Sequence, residues 1–232
     1  MHVQVPKPLH GWRAFVGEVG IIVFGVLIAL AFGQLAESLH DRSSAARARE
    51  AIRAEVRENL WWLEYRESYE PCVDSMLSEL GVVLKRARRG QATPLVRDVH
   101  FPVHAKITSL RWTANSEAGR ASLFSSDEQG LLGNMYFTTE EFRSYQAREE
   151  DTWAKMGFAE GLTHFTPLDV HDLSVLLAEA RFQNQRAKLS ITRAHQWAAK
   201  LHLTAANPNS VENYSLSARR VCTPLFARHQ SP

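Results

Sequence analysis

Fourteen consecutive residues without a charge or a strong polar group, VGIIVFGVLIALAF from Val19 to Phe32, constrain this chain more than any other feature. With Gly33, Gln34, Leu35 and Ala36 the run reaches eighteen residues and contains one amide. As a helix it measures about 27 Å, close to the hydrocarbon thickness of a bilayer. Trp12 and Arg13 lie just before it, where interfacial aromatic and cationic anchors belong. We read residues 14–36 as an uncleaved transmembrane helix and residues 1–13 as a short tail. A cleaved signal peptide is the rival, with Lys7 and Arg13 as its charged region and Ala29-Leu30-Ala31 as a small-x-small cleavage site. Against it, Glu18 abuts the run and the apolar character continues past that site. A core helix of a soluble protein fits less well, because so wide an apolar surface needs a large domain around it.

The segment is sided. At 100° per residue, Glu18, Gly25, Ala29, Gly33 and Ala36 fall within about 80° of one another. Gly25/Ala29 and Ala29/Gly33 are overlapping small-xxx-small steps, while Ile22, Phe24, Leu27 and Leu30 fill much of the remainder. Small residues let helix backbones approach closely in lipid, so this face predicts self-association or pairing with another membrane protein. The alternative is that Gly and Ala are simply common in such helices. Glu18, near the end of the span, reads as an interfacial carboxylate and not as a proton carrier, although an ionisable group in a span always raises a functional question.

Gly17-Glu18 and the following GIIVFGVLIAL resemble the opening of a family of uncharacterised bacterial single-pass membrane proteins. In that family Gly-Glu precedes an Ile/Val-rich span ending in Gly-x-Leu-Ile-Ala-Leu. A charged helix follows there, and later a Trp-bearing and a Tyr-bearing helix. Trp112 in SLRWTANSEAG and Tyr136 in LLGNMYF are the corresponding positions here. The likeness is specific over residues 11–36 and loose beyond them. It implies a bacterial anchored helical protein and brings no activity with it.

Charge gives a weak vote on orientation. Lys7 and Arg13 precede the span, and Arg42, Arg47, Arg49 and Arg53 follow it closely. That count puts the C-terminal side in the cytoplasm, but the rule applies poorly to a domain as long as residues 37–232. Cys72 and Cys222 are the only cysteines, with spacing suited to neither a metal site nor a redox motif. They are either two separate buried thiols or one bridge, and a bridge requires an oxidising compartment. Together these favour a bacterial inner-membrane protein with a cytoplasmic N-terminus and a periplasmic body.

The body reads as all-α. Ile52, Val56, Leu60 and Leu63, then Val73, Met76, Leu80 and Leu84, recur in helical steps, and Pro71 between them predicts a kink or break. Asp41-Arg-Ser-Ser has the residues of a cap, though a rod continuing out of the membrane suits the sequence at least as well. The basic run at Lys85–Arg89 suits a helix C-terminus. Residues 90–106, with two prolines and no helical period, predict an extended connector. Ser125–Glu128 and Thr138–Glu141 have capping-box spacing and predict helix starts. Thr166-Pro167-Leu168-Asp169 predicts the start of a long last helix, striped by Leu173, Leu176, Leu177, Ala180, Ala187, Ile191, Ala194, Ala198 and Leu201 and ending before Asn207-Pro208. Asn184 on this stripe reads as a partly exposed position, or else as a polar residue that sets register. Two long amphipathic helices with shorter ones between them define an antiparallel hairpin or bundle.

Chemistry is harder to find. Twenty-seven basic side chains against 25 acidic ones, interleaved along helices, point away from nucleic acid. His100/His104 flank Pro102, and His195/His202 lie two turns apart, so neither pair is expected to hold a metal. No nucleophile elbow, phosphate loop or Cys-x-x-Cys is present, and no catalytic residue or cofactor is assigned. In the Trp61-Trp62, Tyr65, Tyr69 stretch, one tryptophan packs in the core and the other is partly buried, or else faces a partner. The expected function is an anchored helical interaction or scaffold protein of the envelope. The alternatives are a tethered enzyme with a dispersed site (His164, His171, Glu179) and a periplasmic sensor acting through a partner.

Overall fold

The structure, a computed structural model, describes residues 12–94, 96, 99–207 and 221–226. The 1–13 tail therefore lies almost wholly outside the described residues. The chain divides into two units, Met1–Arg47 and Ala48–Pro232. The described residues form five α-helices and no strands: α1 (Trp12–Ser68), α2 (Glu70–Ala87), α3 (Leu110–Glu117), α4 (Ser126–Met156) and α5 (Pro167–Lys200), with short 3-10 turns at Arg120–Leu123 and Gly157–Ala159.

The first unit holds the apolar part of α1. Its most apolar eighteen-residue stretch has a mean hydropathy of 2.5 and none of it is buried. One helix is thus long and apolar enough to cross a bilayer. The helix runs on through Asp41-Arg-Ser-Ser without a new cap.

The second unit is a helical bundle. α1 from Ala48 onward and α2 form one line of it. They are interrupted because Pro71 in the first turn of α2 lacks an amide and its ring collides with the preceding turn. α4 runs parallel to this line: Glu128 meets Arg49, and further along Glu149 meets Arg66. α5 runs antiparallel to both, since Arg186 and Gln183 meet Glu141 and Thr152 of α4 in reverse order. The apolar stripe of α1 (Ile52, Val56, Leu60, Leu63) and that of α2 (Val73, Met76, Leu80) are essentially inaccessible to solvent. On α5, Ala180, Ala187, Ala194 and Ala198 are buried, and such small side chains let neighbouring helices approach closely.

Start signals fared unequally. Thr166 caps α5 with a complete reciprocal box, its hydroxyl accepting from Asp169 N and Asp169 receiving the Thr166 amide. Ser125 caps α4 by accepting from Glu128 N, but the Glu128 carboxylate turns to Arg49 instead of closing the box. Thr138–Glu141 starts nothing, for it lies in the middle of α4. There Thr138 Oγ1 donates to the Asn134 carbonyl one turn back, and Glu141 binds Arg186. The same four-residue spacing serves a free first turn or a helix interior, and only the chain before it decides.

The connector between α2 and α3 runs back along the bundle. Val96, Val103 and Ala105 are buried in it, so its backbone needs partners. Gly161 N donates to the Val96 carbonyl at 3.0 Å, and two side-chain amides serve Ala105 and Thr108. Gln146 accepts from Ala105 N at 2.7 Å and donates to Ala105 O at 3.1 Å. Asn59 does the same to Thr108, at 3.1 and 2.8 Å.

Candidate functional site

Glu18, Gly25, Ala29, Gly33 and Ala36 all lie in α1 and all are exposed. A Cβ added at Gly25 or Gly33 would meet nothing within 4 Å, so no described residue occupies that face.

Cys72 and Cys222 are joined in a disulfide. The bridge fastens residues 221–226 to α2. Val221 and Leu225 enter the core and Leu225 N donates to Glu79 Oε2 at 2.7 Å.

The most concentrated chemistry sits at the α1–α2 break. Arg66, one turn before Pro71, is fully buried. Its guanidinium donates to Glu70 Oε1 through Nη1, and through Nη2 to Glu149 Oε1 and to Asn184 Oδ1, both at 3.2 Å. Asn184 Nδ2 donates in turn to Asp74 at 3.0 Å. Lys188 closes the ring, lying 2.7 Å from Asp74 and 3.3 Å from Glu70 Oε2. Asn184 is therefore not a partly exposed position. It is 3% exposed and bridges the buried arginine to the rim.

Two cations here face three carboxylates. Burial pushes the Glu149 and Glu70 carboxyls up from the ordinary value of 4.5, outweighing the Arg66 guanidinium that pulls both down. The folded state therefore holds protons that the unfolded chain releases. Stability from these groups is complete below about pH 4.5 and is lost as pH rises through the raised folded values. Glu149→Gln removes one titrating group, so urea midpoints measured from pH 4.5 upward should fall less steeply than in the unsubstituted protein. An unchanged slope would remove Glu149 from this account.

A third buried carboxylate organises α3. Glu55, 1% exposed, accepts from the Arg111 and Trp112 amides at 2.8 and 3.2 Å and from the Tyr136 hydroxyl at 2.7 Å. It does for α3 what a cap residue normally does from within the chain, satisfying free first-turn amides with negative charge. Burial, then the bond to Glu55, pushes the Tyr136 hydroxyl up. Trp112 and Tyr136 stack with centroids 5.1 Å apart. Glu55→Ala strands three donors and should cost about 1–3 kcal/mol in urea unfolding. Tyr136→Phe should cost less, and equal losses would contradict the capping role.

His164, His171 and Glu179 are all exposed, and no three His, Cys, Asp or Glu side chains among the described residues are placed to hold a metal. His104 Nε2 lies 2.8 Å from the Gln146 amide nitrogen. His195 and His202 share a groove of about 470 Å³ with Glu64, and His195 lies 3.4 Å from Glu67. Trp62 is buried and Trp61 half-buried, with Trp61 stacked on Tyr65 at 5.2 Å.

Arg66, Glu70, Glu149 and Glu55 are hard to single out in the sequence because each lies among other charges in a charged helix. The one available signal was phase. Glu55, Asn59, Arg66 and Glu70 fall on or beside the stripe of Ile52, Val56 and Leu63.

No protein-family model, curated protein or solved structure matches the chain.

Proposed function

We propose that this chain is a membrane-anchored helical interaction or scaffold protein of the bacterial envelope, with its body in the periplasm. The observation that carries the reading is the apolar, wholly unburied stretch of α1, whose exposure in water is costly and whose length suits a bilayer. The Cys72–Cys222 bridge supports the periplasmic side, since such bonds persist in oxidising compartments. Two surfaces support interaction. One is the open small-residue face at Gly25, Ala29 and Gly33. The other is the row Leu168, Val175, Phe182 and Leu189, which stand 67%, 52%, 58% and 43% exposed at seven-residue spacing, the period by which helices pack along one another.

Alkaline carbonate extraction should leave the chain in the membrane pellet, and recovery in the supernatant would overturn the anchor. Protease added to spheroplasts should degrade the body while intact cells protect it. Protection in both would place the body in the cytoplasm. Ala29→Leu should reduce cross-linking to a partner or second copy in native membranes, with the membrane fraction unchanged. Undiminished cross-linking would clear the small face of that role.

A further inference from the structure

A groove of about 340 Å³ lies between α2 and α5, walled by Asp74 and Ser78 on one side and by Arg181, Gln185 and Lys188 on the other. Its two cations are not equivalent. Lys188 is matched by Asp74 and Glu70. Arg181 has no carboxylate in ion-pair range among the described residues, and its recorded bond is from Nη2 to the Leu77 carbonyl at 3.3 Å. That bond holds the guanidinium against α2 at Gly81, where an added Cβ would lie 2.8 Å from Nη2. Among the glycines of the described residues, Gly81 alone has a side chain from elsewhere seated on it. The fork of this exposed arginine is thus positioned by a backbone carbonyl and by the absence of a side chain at Gly81, and its charge has no ion-pair partner among the described residues.

We propose that this groove binds an oxyanion, a carboxylate or a phosphate group, on the Arg181 guanidinium, with the Ser78 hydroxyl and the Gln185 amide as flanking donors. Arginine matches both groups because its planar fork presents paired N–H donors to paired oxygens. Lys188 does not compete for the ligand, since Asp74 and Glu70 already pair with its ammonium. The inference stands apart from the membrane anchor and goes beyond it, for the groove lies within the second unit.

The test is the melting temperature of the full chain in detergent micelles, titrated with sodium phosphate or sodium acetate at constant ionic strength. A ligand that binds only the folded state gives a saturable rise. Arg181→Gln should abolish the saturable part. Gly81→Ala keeps the charge but displaces the fork, and should weaken binding by at least about tenfold. Because alanine favours helix over glycine, a loss in Gly81→Ala cannot be laid to a melted α2. A response to phosphate alone assigns a phosphate ester and one to acetate alone a carboxylate. No saturable rise up to about 50 mM of either probe, or an equal rise in Arg181→Gln, overturns the proposal.

Discussion

Replacing Arg66 with methionine should cost about 3–5 kcal/mol of folding stability, the loss expected when one partner of a buried ion pair is removed and the other is left. The expected size follows from what surrounds it. Arg66 is 0% exposed and, among the described residues, is the only cation paired with Glu149, which is itself 3% exposed. Without the guanidinium, Glu149 keeps the cost of burial and loses its ion pair, and Glu70 is left with Lys188 alone. The remedy is a proton, so the deficit should shrink on acidification as both carboxyls, already pushed up, neutralise. Urea unfolding of the Arg66→Met variant at pH 7 and pH 5 checks both parts. A loss under about 1 kcal/mol, or one that grows on acidification, would show that the cluster does not hold the helix break together.

Serine at Cys72 or Cys222 should have the next largest effect. The bridge closes 150 residues, and in the loop-entropy model its removal costs about 5 kcal/mol, with measured losses of about 2–5 kcal/mol for natural bridges. Besides the bridge, Phe226 packs against the core from this segment. Val221 and Leu225 enter the core and one amide reaches Glu79. Proteolysis at the C-terminal end should therefore quicken in either variant before the bundle melts. Non-reducing electrophoresis of alkylated protein supplies the independent check, as reduction should slow the migration of the native chain only.

Much of this fold was legible in the sequence because it rests on local rules. The apolar stretch before Gly33, the stripe from Ile52 to Leu63, the break at Pro71 and the complete box at Thr166 and Asp169 each need only a few neighbouring residues. Thr138 and Glu141 obey the same local rule and start nothing, because α4 has already been running for three turns. The polar interior was not legible for a different reason. Arg66 acquires its meaning from Glu149 and Asn184, 83 and 118 positions away. Glu55 acquires its meaning from Tyr136, 81 positions away. Within a helical turn, only its phase relative to the apolar stripe sets either residue apart from the charges beside it.

The paired amides that hold the connector bear on how this protein can vary over evolution. Irregular segments on a protein surface usually absorb inserted or deleted residues with little penalty. Between Ala105 and Thr108 that freedom is gone, because Gln146 and Asn59 each clasp both polar groups of one backbone position from fixed places on α4 and α1. One residue added there leaves at least one clasp empty and displaces the first turn that Glu55 caps. Length variation among related chains should accordingly avoid the stretch leading into α3.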